Sequence, residues 1–482
     1  MKINDGKVLI DGEWQDSISG ETLPVIDPSD GSQFGYIANC SKEDVDLAVQ
    51  SAQNALESEW SKTNSTERGR LLQKLSVLIL KNEDALAEME ARDVGKPLSQ
   101  ALIDVRACAR YFEFYAGAAD KIHGQTIPFL EGYTVLTLRE PHGVTGHIIP
   151  WNYPLQIIGR TIGGALTMGN SCVLKPGEEA SQTALMLGEL SVQAGFPPGV
   201  LNIVTGLGLK TGEALINHKG VNHLSFTGST EVGKLVQKSA ANNVIPVTLE
   251  LGGKSPQIVF PDADLDKALP FLVNASIQNC GQTCSAASRV LIERSIYEKL
   301  LAMLVKKFSE LKVGPALMDL NCGPLISLIQ KKRLEKFLNL AKTEGLKFVA
   351  EGEIVDQAPK GGNYVKPVLI RDVPPEHILA QEELFGPVLL TIPFEDEEEA
   401  LQIANGTLFG LVSGIWTKNG ARQLRMAKKL KSGQVFINNY GAGGGVELPF
   451  GGVKLSGHGR EKGFEALYGF SVTKTIAIQH GK

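Results

Sequence analysis

A chain of 482 residues, 43% hydrophobic and 21% charged, can bury a large interior and exceeds the size at which single cores split, so two or three domains are expected. Its formal net charge of -5, without a dense run of Lys and Arg, excludes nucleic acid and an anionic membrane surface as default partners. The lack of a signal-like or bilayer-length apolar run and the six sparse cysteines predict a cytoplasmic protein with free thiols; the histidine spacings predict no metal.

In chain order, a short hairpin is predicted around residues 7–14, followed by amphipathic helices over 42–61, 66–92 and 102–119. The alternating run 133–140, stopped by Pro141-His142-Gly143, predicts an exposed or edge strand. From 143 to 260, strand-like runs at 144–149, 171–174, 200–204, 223–226, 247–249 and 257–260 alternate with helices at 182–194, 210–217 and 230–242. This rhythm implies crossover units and a parallel, doubly wound sheet with ligands at the carboxyl ends of its strands. A second α/β domain comes next, with strands at 288–292, 388–392, 410–416 and 434–438 and a helix over 295–311. Low-complexity sequence is confined to 441–445.

Four places are candidates for chemistry. Gly228-Ser229-Thr230-Glu231-Val232-Gly233 follows a strand and opens a helix, so it is either a pyrophosphate cradle or an ordinary tight turn. Lys175 and Glu178, just beyond another strand, have the donor and acceptor chemistry for ribose hydroxyls, or form a solvated loop. Cys284, in the polar segment Asn279-Cys280-Gly281-Gln282-Thr283-Cys284-Ser285, is either an accessible nucleophile or a structural thiol; its spacing from Cys280 is not that of a thioredoxin-like pair. Glu250, between leucines and followed by Gly252-Gly253, is a base with a raised pKa or a partnered buried carboxylate.

These segments, with Pro150-Trp151-Asn152-Tyr153-Pro154, Glu383-Leu384-Phe385-Gly386-Pro387, Pro449-Phe450-Gly451-Gly452 and Ser456-Gly457-His458-Gly459-Arg460-Glu461, stand in the order of the aldehyde dehydrogenase superfamily, which the chain resembles over about 14–475. The resemblance implies an α/β fold with a Rossmann-type NAD-binding domain (1–122 and 142–252), an α/β catalytic domain (253–469) and a small β oligomerisation arm (123–141 and 470–482). It implies that Cys284 attacks the aldehyde, that Asn152 and the Cys284 N–H hold the oxyanion, and that Glu250 activates water to hydrolyse the thioester. Glu461 is implied as a proton relay behind that base. The cofactor residues implied are Ile149, Pro150, Trp151, Lys175, Glu178, Gly228, Ser229, Gly233, Leu251, Glu383 and Phe385, with NAD preferred over NADP because the Glu178 carboxylate would repel a 2′-phosphate. A small-molecule aldehyde as substrate and self-association into dimers or tetramers through the arm are implied by the same resemblance.

The chain departs from the pattern in its substrate pocket, formed by Tyr153, Arg160, Thr283 and Glu447. Arg160 stands where many relatives carry an aromatic residue, opposite the glycines at 441–445. It either faces an aldehyde that is large or carries an anionic or hydrogen-bond-accepting tail, or pairs with Glu447 or another carboxylate. Two other readings are a Cys284–His458 hydrolase pair and a family member retained as a structural protein.

Overall fold

The computed structural model describes residues 5–441 and 445–481. Two large sheets dominate it. The first has the order Glu13–Asp16, Lys7–Ile10, Leu201–Ile203, Ser171–Lys175, Val144–Ile148, His223–Thr227, Val247–Glu250 and Gly457–His458. Its five central strands are parallel, and antiparallel pairing closes both ends. These central strands are buried on both faces, which is why they read as short continuous apolar runs. The chain winds outward in both directions from Val144–Ile148, so the switch point lies at that strand's carboxyl end, where residues 150–152 emerge.

The second sheet has the order Lys347–Glu351, Val368–Arg371, Val388–Phe394, Arg289–Glu293, Pro256–Val259, Val412–Trp416 and Gln434–Ile437, parallel except for its first strand. The strand expected at 257–260 therefore belongs to this sheet and not to the first. One large hydrophobic core packs around the second sheet, and two pack around the first. A third, three-stranded sheet pairs Ser471–Gln479 with Tyr133–Pro141 in antiparallel register, and Thr126–Ile127 joins its other side.

Several helices differ from the sequence pattern. The run 66–92 divides at Asn82 into Ser65–Lys81 and Glu83–Val94, because Asn82 donates its side-chain amide back to Leu78 and its carbonyl starts the next helix. Likewise 42–61 divides at Ser58. The helix expected over 210–217 is a π-helical turn, Gly208–Gly212, leading into one α-helical turn. Pro154–Thr167, which carries Arg160, is buried on almost every side. It shows no polar face, and Gly159 and Gly163 let it lie against Tyr111 and Tyr115. No helix of the described residues is long and apolar enough to cross a membrane.

Candidate active site

The carboxyl ends of the first sheet meet the amino ends of the second around a cavity of about 330 Å³. Pro150, Trp151, Asn152, Tyr153, Arg160, Gly228, Ser229, Glu250, Thr283, Cys284, Glu383 and Phe385 all line it. Residues predicted for catalysis, cofactor and substrate thus share one space. Ile149, Lys175, Glu178, Gly233, Leu251, Glu461 and Glu447 lie outside its lining.

Cys284 is the one cysteine of the six that is partly exposed, the other five being fully buried. Cys172, for example, is enclosed in the strand Ser171–Lys175, and burial pushes its thiol up to about 12. The loop presenting Cys284 is held in an unusual shape: Asn279, Cys280 and Gly281 all have positive φ (49°, 55° and 73°), a conformation that only glycine adopts at little cost. A Cβ on Gly281 would stand 2.2 Å from the Gly386 carbonyl carbon, so two loops are packed backbone to backbone. Burial raises the Cys284 thiol to about 11, against the opposing pull of the Arg160 guanidinium.

Asn152 lies just beyond the switch-point strand and is 4% exposed. Its Nδ2 donates to the Gln282 carbonyl (2.9 Å) and its Oδ1 has no hydrogen-bond partner among the described residues, while Asn279 Nδ2 donates to the Asn152 carbonyl (3.0 Å). The amide is thereby tied to the cysteine loop from both directions. Next to it, the Tyr153 hydroxyl meets Thr283 Oγ1 at 2.8 Å, and the buried Lys96 ammonium lies 4.2 Å from the Tyr153 ring centroid.

Glu250 ends its strand in the first sheet and is 2% exposed, and neither carboxylate oxygen has a hydrogen-bond partner among the described residues. Burial, reinforced by the charge of Glu461, holds its pKa well above the carboxylate range. The alternative of a partnered structural carboxylate does not fit these bare oxygens. The two glycines after it have separate tasks. A Cβ on Gly252 would sit 2.4 Å from Glu383 Oε2, and one on Gly253 would sit 2.4 Å from the Cys284 carbonyl oxygen. The Gly253 N–H donates to Glu383 Oε1 (2.9 Å), and burial raises Glu383 to about 7. Phe385 stands edge-on to Trp151, with centroids 5.4 Å apart.

On the cofactor side, Ser229 caps the helix Thr230–Asn243 by accepting from the Val232 N–H (3.3 Å). Gly233 has no room for a side chain against Leu251, 2.5 Å away, so it packs the helix on the sheet and makes no contribution to the cavity wall. Lys175 Nζ donates to Glu178 Oε2 (2.8 Å); burial opposes ionisation of Glu178, but Lys175 outweighs it and keeps the carboxylate charged.

Arg160 is 7% exposed and forms an ion pair through Nε with Glu461, while its Nη2 reaches Thr227 Oγ1 (3.3 Å). The carboxylate it pairs with is therefore Glu461. Glu447 is exposed and takes Arg110 instead (2.6 Å), because its segment runs along the surface. Glu461 also accepts from Ser225 Oγ (3.2 Å) and is fully buried. Of the segment 441–445 expected to widen the mouth, Ala442, Gly443 and Gly444 lie outside the described residues. His458 is exposed, bonds Gln237 Oε1 (2.6 Å) and does not line the cavity, so it cannot serve Cys284 as the hydrolase reading requires.

Sequence patterns did not mark Gln156, Arg333 and Lys462, which also line the cavity. Arg333 donates to the carbonyls of Glu383 and Leu384 (2.7 and 2.9 Å), fixing that loop from a helix with no other predicted site residue. Nothing in its amphipathic surroundings distinguishes it. Lys462 comes directly after Glu461, and a charged neighbour of a buried carboxylate was the available signal.

A doubly wound sheet, joined end to end with a second parallel sheet over one cavity, defines a two-sheet α/β protein of the dinucleotide-binding type. The family model for the aldehyde dehydrogenase family matches residues 14–476. Similarity extends to a Burkholderia cenocepacia chain provisionally named an aldehyde dehydrogenase (TM-score 0.98, 60% identity, 98% of this chain and 100% of that one covered). A Bacillus cereus aldehyde dehydrogenase solved as an NAD+ complex superposes at a TM-score of 0.96 with 39% identity, covering 99% and 97%. Mouse cytosolic aldehyde dehydrogenase 1 is 41% identical over 99% of this chain and 96% of its own length. The chain belongs to the aldehyde dehydrogenase family and is an oxidoreductase that acts on aldehydes.

Proposed function

We propose that the protein oxidises an aldehyde to the carboxylic acid with NAD, through a covalent intermediate on Cys284 that water hydrolyses. The observation that carries this reading is the shared cavity: the one partly exposed thiol faces the same space as a buried carboxylate with no hydrogen-bond partner among the described residues. The residues present fit NAD. Pro150, Trp151, Gly228, Ser229, Glu383 and Phe385 line the space leading to Cys284, and Gly177 approaches the Trp151 backbone so closely that a Cβ would stand 3.0 Å from its nitrogen. Lys175 and the ionised Glu178 would hold the adenosine ribose, and Glu383 the nicotinamide ribose. Ionised Glu178 disfavours a 2′-phosphate. Bound NAD supplies the hydride acceptor.

The Cys284 sulfur, as thiolate, forms a bond to the carbonyl carbon, and the carbonyl electron pair moves to oxygen. Asn152, already tied to Gln282, keeps a second amide hydrogen for that oxyanion, and the Cys284 N–H is the other donor; fixed donors stabilise charge without reorganising. After oxidation the acyl group remains on sulfur as a thioester. Glu250 takes a proton from water as the water oxygen attacks, the C–S bond breaks, and the acid and thiolate separate. The pair Arg160–Glu461, with Glu461 charge already acting on Glu250, offers the proton a way out. Purified protein should reduce NAD when given aldehydes, and Cys284→Ala should not; equal turnover by that variant would end the reading.

The strand Ser471–Gln479 forms one edge of the small sheet and leaves Val472 and Ile478 exposed, which supports pairing of this arm with a second subunit. Light scattering that finds only monomers would refute it.

A further inference from the structure

Two polar side chains of the cavity wall, Gln156 and Tyr153, have no task in the mechanism. Gln156 is the one residue of the helix Pro154–Thr167 that is not buried, and the space it meets is the cavity. Its Nε2 donates to Asp104 Oδ1 (2.5 Å). Asp104 is buried and ion-paired through its other oxygen with Lys96, which also donates to Glu90 Oε1 (3.0 Å). An ion-paired carboxylate only accepts hydrogen bonds, so the nitrogen end of the Gln156 amide is bound to face Asp104 and the carbonyl oxygen Oε1 is left for the cavity.

The direction of the Tyr153 hydroxyl is fixed by a similar count of hydrogens. Tyr153 Oη lies 2.8 Å from Thr283 Oγ1, and Thr283 Oγ1 lies 3.2 Å from the Gln278 carbonyl oxygen. A carbonyl accepts, so the single hydroxyl hydrogen of Thr283 goes to Gln278. Tyr153 must then donate to Thr283, and what remains free on its own oxygen is a lone pair. The Lys96 ammonium, 4.2 Å from the ring centroid, steadies the Tyr153 ring as it steadies Asp104 behind Gln156.

These two side chains therefore keep acceptors, and no donor, for whatever enters the cavity. An alkyl tail would strip water from both oxygens and return nothing, and a carboxylate or carbonyl tail would set lone pairs against lone pairs. An ammonium brings hydrogens, but taken out of water it needs a carboxylate, and the two behind this wall, Asp104 and Glu90, already hold Lys96. A hydroxyl is the neutral group that supplies the missing hydrogen.

We infer that Gln156 and Tyr153 select an aldehyde that carries a hydroxyl group on its chain. This rests on the aldehyde-oxidising reading above and adds the class of substrate. Both side chains bind and select; no bond to either forms or breaks.

The test compares kcat/KM for 3-hydroxypropanal with that for butanal, and for 4-hydroxybutanal with that for pentanal, in the whole enzyme with NAD; within each pair a methyl group replaces the hydroxyl. At least one hydroxyaldehyde should be preferred by about tenfold or more, the scale of one buried acceptor left without its partner. Gln156→Leu and Tyr153→Phe should each lower that ratio about tenfold. A ratio of two substrates on one protein does not depend on the fraction folded, and Tyr153→Phe keeps the ring that Lys96 faces, so the test survives poor folding of Gln156→Leu. In the unmodified protein 3-aminopropanal should rank below 3-hydroxypropanal; the reverse order overturns the assignment to a hydroxyl. No preference within either pair, or a ratio unchanged in both variants, overturns the inference while the aldehyde-oxidising reading stands. Failure to reduce NAD with these or any other aldehydes would remove both.

Discussion

The two parallel sheets face the same cavity with opposite ends. The first contributes residues just beyond its strands: 150–152 after Val144–Ile148, Gly228 and Ser229 after His223–Thr227, and Glu250 at the end of Val247–Glu250. The second contributes residues just ahead of its strands: Cys284 before Arg289–Glu293 and Glu383 before Val388–Phe394. At carboxyl ends, helices that start with free N–H groups give a ready site for an anionic ligand. Amino ends have no such advantage, and there the loops are held by close backbone packing and left-handed residues. On the proposed mechanism, cofactor binding thus rests on a general property of doubly wound sheets, and the covalent step on a locally constructed loop.

If this division holds, damage to the second sheet's loop should be the more severe. Cys284→Ala should lower NAD reduction by at least about 10⁴-fold, since no other group on that loop forms the covalent bond. Glu250→Gln, on the first sheet, should lower steady turnover by about 10³-fold, yet retain a burst of reduced cofactor in stopped flow, because only hydrolysis needs the base. Loss of the burst would place Glu250 in the earlier step. Asn152→Ala should cost about 10²-fold in kcat.

The pH response sharpens the contrast further. The reactive form of Cys284 is the thiolate, and its pKa stands at about 11 in the ligand-free protein. Its alkylation by iodoacetamide should therefore rise about tenfold per pH unit from neutrality up to that value, and level off only above it. A plateau near about pH 8, the range of an unperturbed thiol, would contradict this. The smallest effect is expected for Glu383→Gln, which keeps a hydrogen-bond acceptor: a rise of less than about tenfold in KM for NAD, measured by initial rates.

The first sheet was more legible in the sequence than the second for the same physical reason. Its strands are short apolar runs punctuated by helices, and their predicted centres agree with the structure. The loop shape around Asn279 to Gly281 has no periodic signal, and neither do the amino ends that it serves. Other omissions have particular causes. The hairpin Thr22–Ile26 and Gln33–Ala38 is mostly exposed and interrupted by Pro24, so its alternation is weak. Pro154–Thr167 has apolar residues and glycines all round, which hides its helical period. Cys284, Glu250 and Asn152 were found through motifs, and the structure gathers them in one cavity. Lys462 was hidden because the string Arg460-Glu461-Lys462 reads as a solvated charged run, whereas Glu461 and Lys462 are both buried.

Gly457–His458 pairs with Leu249 and Glu250 from a distant part of the chain, and the strand Ser471–Gln479 completes the small sheet begun at Tyr133. During synthesis, the carboxylate of Glu250 therefore emerges long before the strand that covers it. A nascent chain that already carries both Glu250 and Cys284 still lacks the strand Gly457–His458, so the first sheet is complete only when nearly the whole chain has left the ribosome.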